Sequence, residues 1–300
     1  MTRRTALAHA VFTLLGCKSK ILNSDSDSLP AEETKPSSAH PDAGVPSLRV
    51  VPLGVGPTPQ AEAARISPLV SGILNELGRS LCNGLRTKDL EGRAIELLRA
   101  ADLDPRMLGF RAFPSAIAVS IDDEVLHGIP SERVLTAGQL VKIQVGGRTR
   151  AGTADQGWTF AVGPIDGEKA RLCRVGVAAL KDAIAVIKTG ARTGDVGAAI
   201  QGTIEVAGFA AVRDFTGYGI GEKAIQDPQL PCVGVRGTGA MLTSGMVLHV
   251  HAIAVAGAYA LITRPDKWTA ATKDGRASVL FTAVVRVRPG GCDVLTPLLV

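Results

Sequence analysis

Apolar residues along the chain switch between two spacings. In "ISPLVSGILNELGRSLCNGL" (66–85) they recur every three or four positions, the period of a helix with one face on a sheet. A second helix is expected over 87–101, with Thr87 as its N-cap and Asp89 in its first turn. Helical spacing returns at 167–188 and 193–207. Between and after these lie short β-branched or alternating runs that read as strands: 115–121, 140–145, 158–162, 246–255, 268–272 and 279–287. Residues 18–60 break the pattern, being rich in Ser, Pro, Asp and Glu with few large apolar side chains. Such a segment buries too little surface to offset its ordering entropy, so it is expected to be a tether, with the folded part running from 61 to 300.

The pattern also repeats. "GLRTKDLEGRAIELLRAADL" (84–103) aligns without gaps on "GARTGDVGAAIQGTIEVAGF" (190–209): Gly, Arg, Thr and Asp coincide, and an apolar rhythm follows. Each copy follows a helix and precedes strands. Two similar α/β halves with a site at their junction are expected.

Composition narrows the classes. Aromatic residues are 4% of a 300-residue chain that contains 34 glycines, which suits tight turns between helices and strands. The net charge of +5 is uneven: residues 24–44 hold five acids and one lysine. No Lys/Arg run alternates with aromatics, so nucleic acid is not an expected partner. The first residues pair a basic "MTRR" with a short apolar stretch (5–15), then "LLGC". That order resembles a lipoprotein signal peptide over residues 1–17, with Cys17 the lipidated residue of an exported, membrane-anchored protein. The alternative is a cytoplasmic protein. The remaining cysteines have no CxxC spacing, and Cys173 and Cys292 read as buried thiols.

Several strings, colinear over residues 61–297, carry a family resemblance: "SAIAVSIDDEVLHGIP", "AGQLVKIQV", "ADQGWTFAVG", "GYGIGEKAIQDPQL", "SGMVLHVHAIAVAG" and "GGCDVLT". The chain resembles type I methionine aminopeptidases of the M24 peptidases. It is thereby identified as a pita-bread protein of the α+β class: a curved antiparallel sheet with two pseudo-twofold-related halves and covering helices.

The resemblance implies a site for two divalent metals held by two Asp, one His and two Glu, whose bridging water becomes a nucleophile. Those five positions fall on Gln144, Asp155, Tyr218 (in what reads as a glycine loop), His251 and Thr282, so one of five side chains is of the expected type. Ile225 stands where a substrate-contacting His is expected, whereas His127 of "LHGIP" and Trp268 match the pattern and imply a retained pocket. The leading expectation is therefore a catalytically degenerate module that binds a peptide or protein N-terminus. One alternative is a hydrolase with a rebuilt site. "HVH" puts His249 and His251 on one strand face, and with Asp155 they would suit at most one Zn or Fe ion; a metal-free route would use His127 as general base, as the resemblance to creatinase implies. A second alternative is an active methionine aminopeptidase.

Overall fold

The computed structural model describes residues 58–299. The signal peptide, Cys17 and nearly all of the tether therefore lie outside the described residues. In chain order the elements are α1 (Pro59–Arg79), α2 (Thr87–Ala100), β1 (Asp104–Pro105), β2 (Ile117–Ile121), β3 (Glu124–Leu126), β4 (Leu140–Arg148) and β5 (Thr153–Ala161). Then come α3 (Gly167–Val186), α4 (Thr193–Val206), β6 (Ala210–Ala211), β7 (Thr216–Ile220), β8 (Gln226–Pro231) and β9 (Val247–Val255). The chain ends with β10 (Leu261–Thr263), β11 (Ala270–Thr272), β12 (Ser278–Arg288) and β13 (Gly291–Val294).

Every strand pairing is antiparallel. The first half forms the sheet β1-β4-β2 with β5 on β4, and the second forms β13-β12-β9-β7-β8 with β6 on β9. A small sheet, β10-β11-β3, lies beside them. The two large sheets meet where β5 faces β12, and threonines join them. The Thr159 hydroxyl donates to the Leu280 carbonyl (2.9 Å) and accepts the Leu280 N–H (2.8 Å). Gly157 N–H donates to Thr282 Oγ1 at 2.8 Å. One contiguous apolar core runs from α1 and α2 through the strands to α3 and α4, with Leu74, Leu98, Ile143, Leu180, Ile200 and Phe281 among its buried side chains.

The expected halves are present. α2 and α4 have the same length, displaced by 106 residues (193 − 87). Their surroundings recur with them: Gly84 and Gly190 both take positive φ and donate their N–H groups to Leu135 and Leu242. β4 and β9 are likewise nine residues each, displaced by 107 (247 − 140), which places Gln144 and His251 at equivalent positions of the two halves.

The structure corrects several sequence expectations. α1 begins at Pro59 rather than near 66, because Thr58 Oγ1 accepts the Ala61 N–H (3.2 Å) and proline suits the first helical turn. It ends at Arg79, since the chain must turn through Gly84 (φ 92°) to bring Arg86 opposite Val134. The N-cap of α2 is Arg86, not Thr87, whose hydroxyl instead donates to the Ser131 carbonyl at 3.0 Å. The "GYGIG" segment is a strand rather than a loop: β7 lies between β8 and β9. Gly217 permits it, since a Cβ there would sit 2.3 Å from the His249 carbonyl oxygen. Cys173 and Cys292 are half-buried, and of the four free cysteines described only Cys232 is fully buried.

Candidate functional site

The strands converge on a cavity of about 450 Å³. β4 contributes Gln144, β5 Asp155, β7 Tyr218, and β9 both His249 and His251. His127, Ile225 and Trp268 also line it. Thr282 does not; it lies beneath the floor, fully buried. The structure thus brings together eight of the sequence-nominated side chains in one cavity, with the ninth, Thr282, hydrogen-bonded to one of them.

Asp155 is the hub of the floor. Across β7 and β9, Tyr218 lies directly opposite His249, and both reach it. The Tyr218 hydroxyl donates to Asp155 Oδ2 at 2.9 Å, with Oδ1 at 3.2 Å. His249 Nδ1 stands 2.5 Å from Asp155 Oδ1, so that nitrogen is assigned the ring proton. Its Nε2 is 2.8 Å from Thr282 Oγ1, which in turn accepts the Gly157 N–H. The order hydroxyl–imidazole–carboxylate is that of a nucleophilic relay, but the Thr282 hydroxyl does not reach the cavity. Here it holds the ring of His249 in place.

The third partner of Asp155 was not nominated from the sequence. Arg106, between β1 and the short 3-10 turn Phe110–Ala112, sends Nη1 to within 2.7 Å of Asp155 Oδ2. Its Nη2 donates to the Ala224 carbonyl (3.2 Å) and lies 3.4 Å from the Tyr218 oxygen. Gly146 makes room: a Cβ there would approach Asp155 Cβ to 2.9 Å and the Arg106 side chain to 3.1 Å. No motif marks Arg106, and 49 residues separate it from Asp155 (155 − 106).

Burial sets the electrostatics. By itself it would raise the Asp155 carboxyl, but the charges of Arg106 and then His249 outweigh it and hold that group well below the usual carboxylate range. Burial would likewise depress the Arg106 guanidinium, yet Asp155 and Tyr218 leave it above its ordinary value. Desolvation pushes the Tyr218 phenol far up, so it stays protonated. It also lowers His251 well below the ordinary imidazole range, helped by His249. His251 Nε2 lies 3.2 Å from His249 Nδ1, and its Nδ1 has no hydrogen-bond partner.

His249 and His251 share a strand face, as their two-residue spacing predicted, and Asp155 joins them, as the family resemblance implied, but through hydrogen bonds: His251 to His249 and His249 to Asp155. Among the described residues no group of three His, Cys, Asp or Glu side chains is arranged to hold a metal ion.

The other wall is aromatic. Phe113 meets Trp268 edge-on with ring centroids 5.1 Å apart, and His127 meets Phe215 in the same way at 5.5 Å. Burial lowers the His127 imidazole, so it is neutral at pH 7. Five of the chain's eleven aromatic residues (seven Phe, two Tyr, two Trp) line this cavity: Phe110, Phe113, Phe215, Tyr218 and Trp268. Their scarcity elsewhere was the available sequence signal for this wall.

Comparison with known proteins agrees with this architecture. Residues 49–288 match the family model for metallopeptidase family M24. Methionine aminopeptidase 1 of Bacillus subtilis is 32% identical over 235 residues, covering 78% of this chain and 94% of that protein. The crystal structure of methionine aminopeptidase from Thermotoga maritima superposes with a TM-score of 0.78 at 31% identity, covering 79% of this chain and 96% of the other. Prolidase from Pyrococcus furiosus shares the fold, with a TM-score of 0.63 at 16% identity, over 81% of this chain and 66% of that one.

Proposed function

The chain belongs to metallopeptidase family M24, within its methionine aminopeptidases, and on that premise we propose that it is a catalytically degenerate member that works as a module binding a peptide or protein N-terminus. The observation that carries this reading is the state of Asp155. It is the one carboxylate at the five positions that the family resemblance assigns to metal ligands, and Arg106, Tyr218 and His249 occupy both of its oxygens. The other four positions offer an amide (Gln144), a phenol that stays protonated (Tyr218), a neutral imidazole (His251) and a hydroxyl already bonded to His249 and Gly157 (Thr282).

Two dications need several carboxylates to offset their charge. This donor set, with a guanidinium beside its only carboxylate, does not fit them. The aromatic wall supports retention of binding, because it offers an apolar side chain a half-enclosed place to lie. The test is metal-supplemented release of Met from Met-Ala-Ser peptides by the full chain. We expect no turnover above background; turnover that Asp155→Ala abolishes overturns the proposal.

A second reading, a hydrolase with one Zn or Fe ion, is favoured by the adjacency of Asp155 Oδ1, His249 Nδ1 and His251 Nε2. It requires a bound ion to displace the contacts that Arg106 and His249 make to Asp155. A metal-free reaction using His127 has less support, since the aromatic rings around that imidazole supply no carboxylate to stabilise its charged form.

We also propose export and anchoring through Cys17, supported by the basic start, the short apolar stretch and "LLGC". Cys17→Ser is expected to abolish labelled-palmitate uptake and membrane partition. An unprocessed Met1 on cytosolic protein overturns this placement.

A further inference from the structure

Arg106 changes what the cavity can accept. A guanidinium keeps its proton at any working pH, so the floor carries a fixed positive charge beside its single negative one. Asp155 has no oxygen left over: Oδ1 is taken by His249, and Oδ2 by Arg106 and Tyr218. A free peptide N-terminus is an ammonium below about pH 8. Seated on this floor it would lose its water, meet no available carboxylate, and stand close to a second cation. The other acid of the lining, Asp214, is exposed at the surface, where water screens its charge.

The polar lining points to a different ligand. Arg106 Nε is buried with no hydrogen-bond partner. The amide nitrogen of half-buried Gln144 has no protein partner among the described residues, since that side chain's one hydrogen bond is its oxygen accepting the His127 N–H at 3.4 Å. Both side chains line the cavity, but Arg106 Nε has no accessible surface, so the Gln144 amide nitrogen is the donor open to a ligand. A half-buried amide N–H without a protein acceptor can take an uncharged carbonyl oxygen, which adds no charge to the floor.

Resting on the reading that the cavity receives a chain N-terminus, we propose that its ligand class is the N-acylated terminus. The acyl carbonyl is taken by the Gln144 amide, Arg106 acts through its charge, and the first side chain lies against Phe113, Phe215 and Trp268. Arg106 is thus a specificity-determining residue that excludes free amines.

The experiment is calorimetric titration of the full chain with N-acetyl-Met-Ala-Ser and with Met-Ala-Ser at pH 7. The acetylated peptide is expected to bind at least about tenfold more tightly, the equivalent of one missing hydrogen-bond partner for a charged group. Raising the pH from 7 to 9 should tighten the free peptide as its amine loses a proton and leave the acetylated one unchanged. This arm needs no variant. Arg106→Met, where it folds, should erase the preference. Equal or tighter binding of the free peptide at pH 7 overturns the inference while leaving the binding reading intact. Binding of neither peptide overturns both.

Discussion

Among the described residues two basic side chains, Arg106 and Lys142, are buried, and they are held in opposite ways. Arg106 sits on the cavity floor against a carboxylate, with its Nη1 2.7 Å from Asp155. Lys142, two residues from Gln144 on β4, is fully buried with no carboxylate in contact. Its Nζ donates to the Asp122 carbonyl (2.7 Å), the Ser278 carbonyl (3.0 Å) and the Ser278 hydroxyl (3.1 Å). All three of its donors are used, on groups that close the junction between the halves. Burial brings it down to about 7, against the opposing pull of Asp122 and Glu124, so it can shed its charge when the surroundings demand it. Arg106 cannot. The lysine is a structural pin. The arginine keeps a buried Nε without a partner, the mark of a group whose arrangement is not explained by packing alone.

Removing Arg106 has the largest expected effect. Arg106→Met leaves Asp155 as a buried carboxylate short of its main counter-charge, and a loss of about 3–5 kcal/mol is expected in urea unfolding. A loss under about 1 kcal/mol would show that the pair contributes little. Tyr218→Phe removes one hydrogen bond to the same carboxylate and should cost about 1.5–3 kcal/mol, since the acceptor is charged. Lys142→Met removes charge and donors together, leaving its acceptors unpaired but ending the desolvation cost, for a net loss of about 1–2 kcal/mol.

The two cations also differ in their dependence on pH. For Lys142 the folded value lies below the unfolded one of about 10.4. The unfolded chain therefore binds the extra proton between about 7 and 10, and this lysine makes stability rise across that window. Thermal melts should show the rise in the wild type and lose it in Lys142→Met, whereas Arg106 contributes no such slope. The smallest effect is on the acid side. Folded His127 and His251 both lie below the unfolded value of about 6.5, so the unfolded chain gains protons first and stability falls as the pH drops through that value. His127→Gln should flatten part of that fall.

Much of the frame was legible in the sequence because it rests on local rules. The helices announced themselves by period, and the repeat at 84–103 and 190–209 marked the two halves, down to Gly84 and Gly190 at equivalent turns. β7 and β8 were not legible. "TGYGI" has too few apolar residues to alternate, and "QDPQLP" contains two prolines, so only the pairing of β7 with β9 and of β8 with β7 makes a sheet of them. At the site, motif positions located the cavity side chains, and period two put His249 and His251 together. Which group bonds which was out of reach. The link from His249 to Thr282 and the Arg106–Asp155 pair join residues far apart in sequence through side-chain direction, and spacing carries no information about that.

The proposed degeneracy rests on Arg106 and on the four neutral side chains, Gln144, Tyr218, His251 and Thr282, at the positions the family resemblance assigns to metal ligands. Calorimetric titration of Mn²⁺ or Co²⁺ into the metal-stripped full chain at neutral pH tests it most directly. The account predicts no saturable binding; binding of one or two ions that Asp155→Ala abolishes would contradict it.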